Sequence, residues 1–353
     1  MQSTVRRTFV ATLVVVAVVA VTLALWELKL VIGLVFFGFV IAAAMRPGIE
    51  ALAQRGIPRP AGVALHYIGL AAVIGLLLWL VVPRAVDQVG QAIGGVPTSS
   101  QELNQEAKHS TGIKHEFLVG VQKRLKKLPS AGGIFHGAVS VGLKAFEVLI
   151  GIFFVLATAA YWIFERDRAV RLVLAGVPHG RRRVVRDTWD LIDLKLGAFV
   201  RGQILLIAFV ATVLSLALWA VGEPFWLLIG VFAGFVEIVP VIGPLTAGAV
   251  AVGVGLTTSW HVALLAGLAV LFVRLLEDYV VIPRVLGHAV GVSPLLVLVS
   301  VTAVGILLGP FYVLLAIPFV AVLATLVDVI LRDKDPAEEE VPTVLFPAKE
   351  SEA

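Results

Sequence analysis

FWLLIGVFAGFVEIVPVIGPLTAGAVAVGVGLTT, residues 225–258, settles the class of the chain. One charge, Glu237, stands among apolar side chains, and two prolines with a glycine between them, Pro240, Gly243 and Pro244, follow it. A helix that crosses a bilayer needs about 20 apolar residues, and this run exceeds that. Proline lacks a backbone N–H and clashes with the preceding turn, so the helix must open here and free backbone carbonyls. In lipid that is tolerated only where the backbone is buried in protein or lines a cavity. The stretch therefore reads as a broken helix or a tight hairpin inside a membrane.

Working outward, further apolar runs cover 8–26, 28–45, 61–82, 145–164, 203–221, 260–273 continuing to Ile282, and 295–331. The last is too long for one span and contains Gly309, Pro310 and Pro318. Of the 353 residues 59% are hydrophobic and 15% charged, and mean hydropathy is +1.00. A water-soluble domain must cover its core with polar groups, and this composition cannot supply them. The expectation is an all-α integral membrane protein of about eight transmembrane helices, with broken or re-entrant helices in the C-terminal half.

Charge orients the spans, because Lys and Arg collect in cytoplasmic loops. Arg6 and Arg7, the loop 46–60 with Arg46, Arg55 and Arg59, and segment 165–202 with nine basic residues all fall on one side. Both termini are thus expected in the cytoplasm. The excess of Lys and Arg points to such loops and to anionic lipid rather than nucleic acid. Arg6-Arg7 faintly resembles a twin-arginine export signal, but a second apolar run follows at once, as in a helical hairpin. Trp26, Trp79, Trp162, Trp219, Trp226 and Trp260 lie near the ends of apolar runs, as an aromatic belt requires.

The organisation read from this is three N-terminal spans (1–82), an external amphipathic segment (83–144), a C-terminal bundle (145–331) and an acidic tail (332–353). In the external segment Ile113, Phe117, Val121, Leu125 and Leu128 recur at helical spacing, with Lys123, Arg124, Lys126 and Lys127 on the other face. Such a stripe suits a membrane surface or a partner subunit. Within the bundle, 165–200 reads as a cytoplasmic interfacial helix carrying Val185, Trp189, Ile192, Leu196 and Phe199, with Arg186 and Asp190 as an i,i+4 pair. The tail holds seven acidic and three basic residues and is expected to be disordered.

Enzyme motifs are absent: no P-loop, no H-E-x-x-H, no G-x-S-x-G, and seven scattered histidines with no i,i+4 metal pair. There is no cysteine. Neither cofactor nor metal is expected, and direct drive by ATP is not supported by any motif of this chain.

Residues 202–331 hold only seven charged side chains: Glu223, Glu237, Arg274, Glu277, Asp278, Arg284 and Asp328. A charge at membrane depth costs roughly 2.5–3.5 kcal/mol on insertion scales, so it usually faces a partner or a water-filled cavity. Broken helices at mid-membrane often build substrate and ion sites in transporters. Glu237, Pro240, Gly243 and Pro244 are therefore candidates for a transport path, facing Arg201 and Gln203 on one helix and Glu277 and Asp278 on another. The competing reading is a packing kink in which Glu237 caps freed amides. Arg274 and Asp278, at i,i+4, would neutralise one another. Pro283, Pro294, Gly309 and Pro318 are expected structural breaks, and Gly287, His288 and Gly291 fall in an irregular link.

The ordered set Arg201-Gly202-Gln203, Glu237-Ile238-Val239-Pro240-Val241-Ile242-Gly243-Pro244, Glu277 with Ile282-Pro283-Arg284-Val285-Leu286-Gly287, Val292-Ser293-Pro294-Leu295 and Gly309 with Ala316-Ile317-Pro318 resembles the autoinducer-2 exporter family of permeases. The resemblance covers about 5–331 and is strongest over 195–331. Two positions depart: Arg284 where the family often has Lys, and Val292-Ser293-Pro294 where it often has Leu-His-Pro. The resemblance implies a bacterial inner-membrane protein of about eight spans, a homo-oligomer, by family analogy a pentamer, and export of small molecules. Members are linked to the furanosyl signal autoinducer-2 and to sodium or lithium/proton antiport.

Three functions are weighed on this basis. The first is gradient-driven export of a small polar solute such as an autoinducer-2-like signal. The second is sodium (lithium)/proton antiport, with Glu237 or the Glu277/Asp278 pair alternately holding proton and cation. The third is a non-transport oligomeric scaffold or channel.

Overall fold

The computed structural model describes residues 2–93, 131–239, 242–285, 293–339 and 341. Pro240, the external stripe Ile113 to Leu128, the link Gly287 to Gly291, and the tail beyond Val341 lie outside the described residues. What is described is helical, with turns between the helices, as an all-α membrane protein requires: lipid offers backbone groups no partner, and a helix satisfies them within itself.

The helices are α1 (Gln2–Glu27), α2 (Lys29–Gln54), α3 (Arg59–Ile93), α4 (Ala131–Ala175) and α5 (Arg182–Ala220). There follow α6 (Trp226–Val236), α7 (Ile242–Thr258), α8 (Trp260–Leu276), α9 (Ile282–Val285), α10 (Pro294–Leu308) and α11 (Pro310–Leu331). Among the described residues six helical stretches are long and apolar enough to cross a membrane, and shorter apolar helices accompany them. Phe9–Glu27 of α1 is exposed along its whole length, whereas 44% of the most apolar window of α11 is buried.

Small residues set the close crossings. Gly197 of α5 meets the backbone of α2, where an added Cβ would come within 2.5 Å of the Ala43 carbonyl oxygen. Gly230 and Gly234, one turn apart on α6, face Ser215, Ala211 and the Ile207 carbonyl of α5. This is the small-xxx-small pattern that lets membrane helices approach closely. Val210, Leu214 and Leu218 of α5, Ile229 and Ala233 of α6, Ala247 and Ala251 of α7, and Ala266 and Val273 of α8 form one continuous buried core.

The stretch 225–258 is a hairpin. Gly243, at the start of α7, lies against the Val236 carbonyl at the end of α6, while Gly255, near the end of α7, lies against the Glu223 carboxyl just before α6. The two helices are therefore antiparallel, and Glu237–Val239 lead from α6 into their tip. With 11 residues α6 extends about 16 Å, roughly half of a ~30 Å hydrocarbon core. The 17 residues of α7 and of α8 each extend about 25 Å. A second hairpin follows: Gly309, at φ +105, turns α10 into α11, a left-handed conformation that glycine adopts without strain. Pro294 stands at the start of α10, where its missing N–H costs nothing. Pro318, expected as a break, instead sits buried inside a continuous α11; a membrane helix packed in protein keeps its course through a proline.

Segment 165–200 is helical but is shared between two long helices, the end of α4 and the first half of α5, joined by the turn at His179–Arg181. Asp190 pairs with Arg166 rather than with Arg186. Arg166 Nε also donates to Asp193 Oδ2 at 2.5 Å, and Arg46 of α2 joins through Asp193 at 3.5 Å and Glu50 at 2.6 Å. This network ties α2, α4 and α5 together at the basic end. Of the acidic tail, the described part touches the bundle: Pro336 is buried, and Glu339 accepts from buried Lys195 Nζ at 2.7 Å.

Candidate functional site

The tip of the α6–α7 hairpin gathers most of the charge in the C-terminal half. Helix α6 ends at Val236, and Glu237–Val239 turn away from it. The backbone there stays paired: Glu237 N–H donates to the Ala233 carbonyl at 3.1 Å, Val239 N–H to that of Val236 at 3.0 Å, and Gly243 N–H to that of Val239 at 2.9 Å. Pro244 falls in the first turn of α7, where proline is tolerated. The Glu237 carbonyl accepts from Gln203 Nε2 of α5 at 3.2 Å. Val239 packs with Phe199, Val301, Ala316 and Ile317, so the second hairpin covers the tip.

The Glu237 side chain is 5% exposed. It accepts from Arg274 Nη1 of α8 at 3.3 Å. The same nitrogen donates to Glu277 Oε1 at 3.0 Å, and Arg274 Nη2 lies 2.9 Å from Asp278 Oδ1. Glu277 is 2% exposed, while Asp278 is exposed. Three carboxyl groups thus converge on one guanidinium. If all are ionised, two negative charges are left without a partner among them.

A local irregularity begins at Glu277, which itself lies one turn beyond buried Val273 on the face that α8 turns to the core. Residues Glu277–Val281 form a π-helical segment, in which Ile282 N–H donates to the Glu277 carbonyl. Pro283 follows directly and cannot supply the N–H that a regular helix would need there. The wider turn inserts one residue and rotates the helix surface; such bulges recur at functional sites.

Of the sequence candidates, Glu237, Gln203, Glu277 and Asp278 come together at the tip, with Gly243 and Pro244 forming its return strand of backbone into α7. Arg201, although buried and two residues from Gln203, donates through Nη1 to the Ala44 carbonyl of α2 at 3.2 Å. Arg274, read from sequence only as the partner of Asp278, is the centre of the cluster. The signal for it was the local surplus of acid over base, because one Arg amid three carboxylates cannot serve Asp278 alone. Pro283 lies beyond the π segment, and Pro294, Gly309 and Pro318 belong to the covering hairpin.

Comparison with known proteins agrees with this architecture. Residues 13–332 match the family described as "AI-2E family transporter". The chain is 23% identical to "Putative transport protein YrrI" of Bacillus subtilis over 83% of its own length and 84% of that protein. It is 25% identical to "Putative transport protein YueF" of the same organism, over 83% and 80% of the two chains. To "Putative transport protein YhhT" of Escherichia coli it is 24% identical, over 80% and 79%. With the family matched over nearly its whole length, this multi-pass membrane chain belongs to the AI-2E family of transporters.

Proposed function

We propose that the chain exports a small polar solute down or against its gradient by coupling to an ion gradient, and that the path passes the tip of the α6–α7 hairpin. The observation that carries this reading is the pair of buried carboxyls, Glu237 and Glu277, held on half-buried Arg274 at that tip. A charged cluster of this kind is expensive in a membrane, and it sits where two hairpins meet and the helix is interrupted. A proton, a cation or a polar solute would supply the charge balance that one Arg cannot. The family description supports a solute such as an autoinducer-2-like signal, and enzymatic chemistry forms no part of the reading. In this reading the chain works in the bacterial inner membrane with both termini cytoplasmic, as a homo-oligomer, for which a pentamer is the family-based expectation.

Sodium or lithium/proton antiport is the second reading, and the surplus of two carboxyls over Arg274 favours it. Flux into proteoliposomes, followed with an internal pH dye, an imposed sodium gradient and a panel of labelled solutes, tests both. Export predicts solute movement that depends on the gradient. Antiport predicts sodium- or lithium-driven proton movement without solute. Absence of both leaves the oligomeric scaffold or channel.

A further inference from the structure

A second buried acid lies at the other end of α6. Glu223 stands in the turn Val221–Phe225 between α5 and α6, opened by Gly222 at φ +78. It is 2% exposed, and among the described residues neither of its carboxyl oxygens has a hydrogen-bond partner. Its backbone is held: its N–H donates to the Leu218 carbonyl at 3.0 Å, and its carbonyl accepts from Trp226 N–H at 3.3 Å. The carboxyl enters a slot walled by the α7–α8 junction. A Cβ added at Gly255 would come within 3.0 Å of Glu223 Oε2 and 2.7 Å of Ala263 Cα. The absence of a side chain at Gly255 is what leaves the carboxyl its room.

The walls carry no counter-charge. From Ile204 onward α5 has no titratable residue, α6 and α7 have none, and α8 has His261 at this end and Arg274 at the far end. Helix α3, which also packs on α6, carries Arg84 and Asp87, both exposed, with Arg84 donating to the Leu80 carbonyl of its own helix. His261 is exposed and stacks on Trp260 with ring centroids 3.7 Å apart. No ion pair reaches Glu223 from any of these helices among the described residues. An unpaired carboxylate so placed is costly, whereas the neutral acid fits. Burial, with no charged neighbour contributing, pushes the Glu223 carboxyl up to about 7. A metal cation is a poorer match, since hard cations take several oxygen ligands and no group of three His, Asp or Glu side chains able to hold one occurs among the described residues.

We propose that Glu223 is a second proton-binding site, about 16 Å from the hairpin tip along α6, that takes and returns one proton at the end of the bundle opposite Arg181–Arg183. Uptake forms one O–H bond on the carboxylate as hydronium reverts to water, and release reverses it. Two buried acids then bracket a half-length helix, one at the tip among Arg274 and Glu277, one alone near the opposite face. The use of that proton in transport rests on the coupled-export reading above; its binding does not.

Infrared titration of the purified full-length protein in nanodiscs tests the site without any transport assay. From about pH 5 to about pH 9, a span that exposed carboxylates meet fully ionised for most of its range, wild type should lose a protonated-carboxyl C=O band of Glu223 near neutral pH, beside any bands of the tip acids. Glu223→Gln should lack that band. A variant with the tip neutralised, Glu237→Gln/Glu277→Gln/Asp278→Asn, should keep it, and it serves as the test should Glu223→Gln fail to fold. The proposal is overturned if the band persists in Glu223→Gln, disappears in the tip variant, or does not change with pH. A titrating Glu223 band in a protein without coupled flux would remove the exporter and leave the site; coupled flux without the band would do the reverse.

Discussion

Arg274 Nη1 lies 3.3 Å from the Glu237 carboxylate across 37 residues of sequence, and it binds Glu277 with the same nitrogen. This contact joins the hairpin tip to the π-helical end of α8. Both carboxylates are buried, so the guanidinium is their nearest source of charge balance. Removing it should be felt strongly, because a buried charge left without its partner costs about 3–5 kcal/mol.

Arg274→Gln should therefore lower the unfolding temperature of the purified protein by several degrees at neutral pH. Adding Glu237→Gln should recover part of the loss, with a coupling of about 0.5–3 kcal/mol between the two positions. Thermal unfolding of the four proteins of this double-mutant cycle in one detergent measures it. Strict additivity would separate the two residues energetically.

Gly243→Ala probes the hairpin's return. A methyl there would collide with the Val236 carbonyl, which is backbone and cannot step aside cheaply. Overpacking of this kind costs about 1–3 kcal/mol. Gly253→Ala, in the same helix with open space around it, should be neutral or stabilising by up to about 1 kcal/mol. Expression yield and thermal unfolding of the pair should diverge in that sense; equal behaviour would mean that the tip is not packed as described.

Much of this was legible in the sequence, and the rest was not for physical reasons. Hydropathy located the helices, and Pro240, Gly243 and Pro244 located the interruption within a few residues. Hydropathy has no direction, however, so it could not tell a broken span from a hairpin; the answer lies in Gly255 meeting Glu223. The pairing of Glu237 with Arg274 depends on how α7 and α8 fold back, and no local spacing encodes it. Local spacing misled at Asp190, where the i,i+4 partner Arg186 loses to buried Arg166 on another helix. Pro318 looked like a break because proline usually is one in water-exposed helices, whereas here tight packing holds α11 through it. Glu223 read only as one of the seven charges of 202–331, and only tertiary burial marks it as a second acid.

Gln203 Nε2 holds the Glu237 carbonyl at the hairpin tip. Gln203→Leu leaves that carbonyl without its donor, at a cost of about 1–3 kcal/mol. Stability should fall by that order and flux with it. Gln203→Glu, which replaces the amide donor by a carboxyl beside Glu237, should impair flux more than stability. Paired unfolding and flux measurements separate the two effects.

The proposed orientation has its own check. The chain lacks cysteine, so single-Cys labelling is free of background. Cys at position 87 should react with a membrane-impermeant maleimide from outside intact cells, and Cys at position 183 only after permeabilisation. The reverse pattern would invert the topology and place Glu223 on the cytoplasmic side.

The central claim is that the carboxylate of Glu237 couples transport. Glu237→Gln preserves size and hydrogen bonding but removes the titrating charge, so the folded, inserted protein should survive. Proton- or cation-coupled flux in proteoliposomes, measured side by side for wild type and Glu237→Gln across a range of pH, is the most direct test. The expected result is loss of coupled flux in a variant of unchanged oligomeric mass. Full flux with the wild-type pH dependence would contradict the account, reduce Glu237 to a structural partner of Arg274, and move the coupling site elsewhere.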